Sequence, residues 1–216
     1  MRGLFDAWSR FYDVPVLQSL TYRPVQTAVV EALRAYGAPQ ALLDVGCGTG
    51  MLARRLAREL PGARVTGCDL SRGMLSRAAM HAAAMHADTL AWVQGDALRL
   101  PFGDQCFDTI VCTAALHWFP DQCAALREFR RVLRPGGRVA LALVSPPLAA
   151  IGTIAWLMAR AVGQPFHWPT AAGMRRLVAA ADLRLESQRH LRLVPPGPLL
   201  PPVVTVAIRP CRMGPP

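Results

Sequence analysis

The sequence contains no lysine. All 24 basic residues are arginine, set against 14 acidic ones, which leaves a formal charge of +10 over 216 residues. A codon bias toward GC-rich triplets accounts for this as well as any function does, and the arginines are scattered through the expected helices and strands instead of forming a block. Read functionally, the same charge would attract anionic partners such as RNA or anionic lipid. No C-x-x-C pair occurs among the six cysteines (Cys47, Cys68, Cys106, Cys112, Cys123 and Cys211), so neither a zinc site nor a disulfide framework is indicated. A reducing cytoplasm is the expected home. Arg2, Asp6 and Arg10 interrupt the first stretch, and no secretory signal is expected. Val139 to Ala159 lacks charge, but Pro146 and Pro147 break it and its first half reads as a strand, so no transmembrane segment is expected. No internal repeat is detected.

What is present is a chain of ordinary single-domain size, about half apolar, organised around Ala41-Leu42-Leu43-Asp44-Val45-Gly46-Cys47-Gly48-Thr49-Gly50. An apolar run that ends in alternating glycines reads as a buried parallel strand turning into a helix, here over Met51 to Leu60. Glycines at 46, 48 and 50 would remove every Cβ from the inside of the turn and let a nucleotide-like ligand lie on bare backbone at the helix N-terminus. A dinucleotide fingerprint would need its last small residue where this chain has Met51. Asp44 beside the turn suits a cationic or hydroxyl-bearing ligand and repels a phosphate.

With Asp44, Gly46, Gly48 and Gly50 in the form D-x-G-x-G-x-G, the stretch resembles the first motif of the class I S-adenosylmethionine (SAM) dependent methyltransferases. Further landmarks follow in order. Arg64 to Asp69 is a short strand whose terminal carboxylate lies about twenty residues past the turn, the spacing that lets Asp69 accept hydrogen bonds from ribose hydroxyls. The resemblance implies that Leu70 and Met74, at the start of a helix from Ser71, pack against adenine. It also implies that Asp96 accepts from the adenine amino group and that Ala97 offers its amide, after a strand over Leu90 to Gly95. Cys47 and Ala114 complete the expected cofactor contacts. The fourth strand, Phe107 to Cys112, continues into Thr113-Ala114-Ala115-Leu116-His117-Trp118, which leaves the sheet at the edge where open α/β sheets bind ligands. His117 and Trp118 should therefore face the reacting methyl group. A helix over Gln122 to Leu133 ends at Arg134-Pro135-Gly136-Gly137, where glycine is expected to close it before a strand over Arg138 to Val144.

The ends are less patterned. Phe5-Asp6-Ala7-Trp8-Ser9-Arg10-Phe11-Tyr12-Asp13 resembles the lid segment of methyltransferases of the ubiquinone and menaquinone biosynthesis type, which makes Tyr12 a candidate lid residue and Trp8 a candidate acceptor contact. A helix over Pro147 to Val162, a loop with His167 and Trp168, a helix over Ala171 to Ala181, and strands over Leu183 to Val194 and Val203 to Ile208 are expected, the last two supplying an antiparallel edge strand. His167 is a further candidate acceptor contact.

The expected fold is a doubly wound, Rossmann-like α/β domain over residues 1–216: a seven-stranded sheet, mostly parallel with one antiparallel strand near the C-terminus, and helices on both faces. Residues 1–38 would form a helical lid, 39–144 the cofactor core, 145–170 a substrate-covering insert and 171–216 a terminal helix and strand hairpin. The resemblance implies SAM as cofactor and in-line methyl transfer to a small, apolar or aromatic acceptor, in a quinone pathway or in secondary metabolism, by attack through oxygen, carbon or nitrogen. Positioning then carries most of the catalysis. His117 is the candidate base where the acceptor must lose a proton, because imidazole ordinarily titrates near neutral pH. An RNA methyltransferase is the rival supported by charge, but Thr113-Ala114-Ala115-Leu116 is not the N/D-P-P-F/Y of amino-base enzymes, and no proline-cysteine nucleophile appears. A SAM-binding partner protein without turnover is a second rival. No metal is expected, since Asp121 stands alone after the fourth strand.

Overall fold

The computed structural model describes residues 22–83, 89–144, 167–191 and 202–211. Trp8, Tyr12 and the helix expected over Pro147 to Val162 lie outside the described residues. The strands are β1 Ala41–Val45, β2 Arg64–Asp69, β3 Leu90–Gln94, β4 Phe107–Thr113, β5 Leu133–Val144, β6 Arg184–His190 and β7 Pro202–Ile208. The helices are α1 Arg23–Arg34, α2 Met51–Glu59, α3 Arg72–Ala83, α4 Gln122–Val132 and α5 Ala171–Ala180. One sheet holds the strands in the order β3-β2-β1-β4-β5-β7-β6. The chain winds outward from β1 through β2 to β3, then returns to β4 on the other side, so the direction of winding reverses between β1 and β4. A crevice opens at such a reversal, beyond the carboxyl ends of the parallel strands.

Alternation along the strands builds two cores. Leu43, Val45, Ile110, Cys112, Val139 and Leu141 face α4 and α5, while Leu42, Val111, Ala140 and Ala142 face α1 and α2. On β5 the large side chains thus meet Phe129 and Leu126 of α4, and the two alanines let α1 come close with Val29, Val30 and Leu33. Pro24 opens α1, where its missing N–H leaves nothing unpaired. Asp121 caps α4 by accepting from the Ala124 amide at 2.8 Å, and Thr170 caps α5 by accepting from Gly173 at 3.0 Å.

Two local expectations change. The antiparallel strand is β7, which pairs with β5 on one side and β6 on the other, so it lies second from the edge and β6 is the edge strand. Glycine does not close α4: Leu133 turns extended and pairs with Phe107, and the register resumes at Arg138 opposite Thr109 after an irregularity. The guanidinium of Arg209, just beyond β7, donates to the carbonyls of Arg130 (2.9 Å) and Arg131 (3.3 Å) and takes over the capping of the α4 C-terminus.

Candidate active site

A cavity of about 340 Å³ occupies the crevice at the winding reversal. On the β2–β3 side its wall is the glycine turn and two carboxylates. Gly46 and Gly48 adopt φ of +70° and +54° and both line the cavity. The Gly46 and Cys47 amides donate to the Cys68 carbonyl at 2.8 and 3.2 Å, which fastens the turn to β2. Asp69, at the end of β2, accepts from the Gly48 amide with Oδ2 (2.8 Å) and from the Ser71 amide with Oδ1 (2.9 Å). Each carboxylate oxygen has a second lone pair, so Asp69 braces the turn and still offers acceptors to a ligand. Leu70, Met74, Asp96, Ala97 and Leu98 continue this wall. Asp96 spends Oδ1 on the Leu98 amide at 2.9 Å. Behind it Arg131 donates to the Leu100 and Phe102 carbonyls, 3.1 and 2.8 Å, and pairs with Glu128 and Asp104, so the loop that carries Asp96 is tied to α4.

The glycines divide their work. A Cβ on Gly46 would collide with the Cβ of Ala115, and one on Gly50 with the ring of Trp92 and, at 2.9 Å, with Ala78. Gly50 is buried and outside the cavity wall, so its missing side chain makes room for a tryptophan of β3 instead of a ligand. The Cys47 thiol is also buried and pushed well above its usual range by desolvation and by Asp44 and Asp69.

Asp44 lies beneath the turn and is only 1% exposed; no hydrogen bond of ordinary geometry reaches either carboxylate oxygen among the described residues, and the Ala53 backbone amide offsets part of the burial penalty. Burial, reinforced by the Asp69 charge, raises its pKa from 3.8 to about 7. It opens onto an annex of about 30 Å³ that shares Tyr22, Gln26, Gly46 and Thr113 with the main cavity.

The β4–β5 side is apolar and aromatic. Ala114 takes φ of +50° as the chain leaves β4, a costly conformation for a residue with a Cβ, and its amide donates to the Ala142 carbonyl at 2.8 Å. That bend starts the 3₁₀ turn Leu116–Trp118 and aims it at the cavity, where His117, Trp118 and Phe119 join Val25, Leu143 and Trp168. The His117 ring lies 5.1 Å from Trp118 and 5.7 Å from Trp168. Desolvation there lowers its pKa to about 4, a correction to the expected titration near neutrality: the imidazole is uncharged at physiological pH and weakly basic. His167 is exposed and outside the cavity wall. Its backbone is held by hydrogen bonds to the His117 carbonyl (2.8 Å) and from the buried Gln122 side chain (2.6 Å), which fixes Trp168 beside the cavity. Trp168, Val25 and Gln26 were not among the candidate site residues.

Open glycine backbone, a carboxylate with free acceptor capacity at the end of β2 and a buried carboxylate beneath the turn fit an adenosine carrying a cationic tail. The fold and site define a Rossmann-like methyltransferase class, and the comparisons agree. A family model for the methyltransferase domain matches residues 43–141. The ubiquinone/menaquinone biosynthesis C-methyltransferase UbiE of Paracoccus denitrificans is 39% identical over 142 residues, which cover 64% of this chain and 56% of that one. This chain thus spans little more than half the length of that relative. The demethylmenaquinone methyltransferase of Thermobifida fusca is 31% identical over 88% of both chains. A solved SAM-dependent methyltransferase of Thermotoga maritima superposes with a TM-score of 0.75 at 18% identity, covering 97% of this chain and 100% of that one. The chain belongs to the class I SAM-dependent methyltransferases of the ubiquinone/menaquinone type, and its cofactor is S-adenosylmethionine. No helix among the described residues is long and apolar enough to cross a membrane.

Proposed function

We propose that the chain transfers a methyl group from SAM to a small apolar or aromatic metabolite, in the cytoplasm. One observation carries the reading: a single cavity joins the Asp69–Asp96 wall to the apolar wall of Val25, Leu143, Trp118 and Trp168. The cofactor supplies the electrophilic methyl group and its own leaving group. Asp69 would accept from the ribose hydroxyls, Asp96 and the Ala97 amide would receive the adenine edge, Leu70 and Met74 would pack on its face, and the Gly46–Gly48 backbone would allow close approach; all of these residues line the cavity. Ala114 shapes the junction with the acceptor end, and Asp44 balances positive charge from below.

On the acceptor side Trp118 and Trp168 would orient a flat ring and exclude water, and proximity of this kind is worth up to about 7 to 11 kcal/mol in favourable cases. His117, neutral at working pH, is placed to receive a proton or simply to shape the pocket. An acceptor of the kind the Thermobifida relative is named for, a demethylmenaquinone, belongs to this apolar class. The division into lid (1–38), core (39–144), covering insert (145–170) and terminal elements (171–216) is part of the same proposal. It is supported by Val25 and Trp168, which come from the lid stretch and the covering insert and line the cavity.

The test is transfer of labelled methyl from SAM in a host-cell extract, separated into organic-soluble metabolites, RNA and protein. Label in the organic fraction is expected. Label in RNase-sensitive material would make the arginine surface the functional one. Cofactor binding with no labelled fraction in extracts supplemented with quinone precursors would favour the non-catalytic partner.

A further inference from the structure

The aromatic wall of the cavity comes from two irregular stretches of chain, the 3₁₀ turn Leu116–Trp118 and residues 167–168 ahead of α5. Neither inherits its position from a strand of the sheet. They meet at a buried side chain. Gln122, the first residue of α4, is 8% exposed and is not itself a wall of the cavity. Its Nε2 donates to the Leu116 carbonyl at 3.1 Å and to the His167 carbonyl at 2.6 Å, so both protons of the carboxamide are used, one on each stretch. The His167 amide closes the join by donating to the His117 carbonyl at 2.8 Å.

A buried carboxamide is costly unless its hydrogen bonds are made, and an apolar side chain of the same size would pack without that cost. What Gln122 supplies is a fixed distance. Helix α4 is anchored by Leu126, Phe129 and Val132, all fully buried, and its N-terminus is held by the Asp121 cap. Gln122 therefore refers both stretches to one rigid element. On the other side of Trp168 the chain is fixed by Thr170, which caps α5. The Trp168 ring is thus carried between two anchored points, 5.7 Å from the His117 ring, and Trp118 lies 5.1 Å from that same imidazole.

Resting on the acceptor reading, we infer that Gln122 is a positioning residue: through two backbone carbonyls it sets how far Trp168 stands from His117 and Trp118, and hence how tightly a flat acceptor ring is held. Both hydrogen bonds of its amide nitrogen run to the aromatic side, so loosening them widens that end of the cavity and leaves the Asp69–Asp96 wall as it is.

A double-mutant cycle tests this on protein saturated with S-adenosylhomocysteine, the demethylated cofactor, with 2-naphthol as a flat, uncharged aromatic probe read by calorimetry. Gln122→Met, which keeps the length and loses the donors, should weaken naphthol about fivefold, the loss expected for one neutral hydrogen bond, with the affinity for S-adenosylhomocysteine unchanged. Gln122→Glu, whose carboxylate would face two carbonyl oxygens, should weaken it further. Gln122→Met combined with Trp168→Ala should bind naphthol no worse than Trp168→Ala alone, because the staple acts through that ring. Hydrogen exchange at the His167 amide should quicken in both Gln122 variants. The inference is overturned if His167 exchange is unchanged, if the effects of the two substitutions simply add, or if S-adenosylhomocysteine weakens in parallel with naphthol. A wild type that binds S-adenosylhomocysteine but not naphthol would instead overturn the aromatic-acceptor reading, with His167 exchange still deciding whether Gln122 holds the two stretches together.

Discussion

The two ends of the cavity are built in different ways. The cofactor end comes from Gly46 to Leu98, one run of chain in which strand, turn and carboxylate follow at fixed spacings, and its contacts are backbone amides and acids braced by each other. The apolar end, where we propose the acceptor sits, is assembled from Val25, Trp118, Leu143, Trp168 and Pro202, which come from five separate stretches and share little but apolar surface. A ligand common to every member of a class can be held by local geometry. One that varies is held by side chains, each of which can change without disturbing the turn.

That contrast can be broken most severely at the turn. Gly46→Ala forces a Cβ into Ala115 at a φ of +70°, so cofactor binding should fall by a hundredfold or more and the melting temperature should drop, read by calorimetry and thermal denaturation. Next comes Asp69→Ala, which leaves the Gly48 and Ser71 amides unpaired as well as removing the ribose acceptor. A loss of roughly 2–4 kcal/mol in SAM affinity is expected, with any remaining turnover showing an unchanged KM for the acceptor. If acceptor KM rises in parallel, the two ends are not separable.

A third expectation concerns pH. Asp44 has a folded pKa of about 7 against 3.8 for an unperturbed side chain, so between those values the folded state holds a proton that the unfolded chain has released. Stability without ligand should therefore decline from about pH 4 to about pH 7 on account of this group. A cationic ligand favours the ionised carboxylate, so the rise in melting temperature on adding SAM should grow from pH 6 to pH 8 and flatten in Asp44→Asn. A gain independent of pH would remove Asp44 from the cation's surroundings.

On the acceptor side the effects should be smaller. Trp168→Ala should raise acceptor KM several-fold with the dissociation constant of SAM unchanged, and steady-state kinetics beside calorimetry would show it. Smallest is His117→Gln: turnover should fall a few-fold at most, because an imidazole with a pKa near 4 is a weak base, and the pH–rate profile between 6 and 9 should keep its shape. A basic limb lost with this substitution would restore the catalytic-base role.

The contrast also explains what could be read without coordinates. The first four strands and the turn from Asp44 to Gly50 were legible because periodicity and glycine spacing are local signals, and β3 ends within a residue of the expected position; β5 instead starts at Leu133, ahead of the expected Arg138, and β6 ends at His190, short of the expected Val194. Gln26 carried no such signal, since its burial depends on how α1 crosses β1 and β4. The depressed basicity of His117 likewise comes from neighbours 51 residues away, such as Trp168. The place of β7 inside the sheet was equally hidden: a terminal hairpin reads the same whichever of its strands meets β5. Gly50 is the reverse case, a legible residue whose use was misread, because the ring that fills its space arrives from β3.

The position of β7 bears on how the molecule comes together. Strand β6 is synthesised first but has no neighbour in the sheet other than β7, so it cannot join until residues 202–208 have slotted against β5, some 60 positions behind them. Pro202, the first residue of that strand, is also a wall of the cavity. While a ribosome is still extending the chain, strands β1 to β5 are already present to pair with one another, but the apolar wall of the cavity waits for β7. A nascent chain stalled before that point would hold a binding turn without a finished pocket.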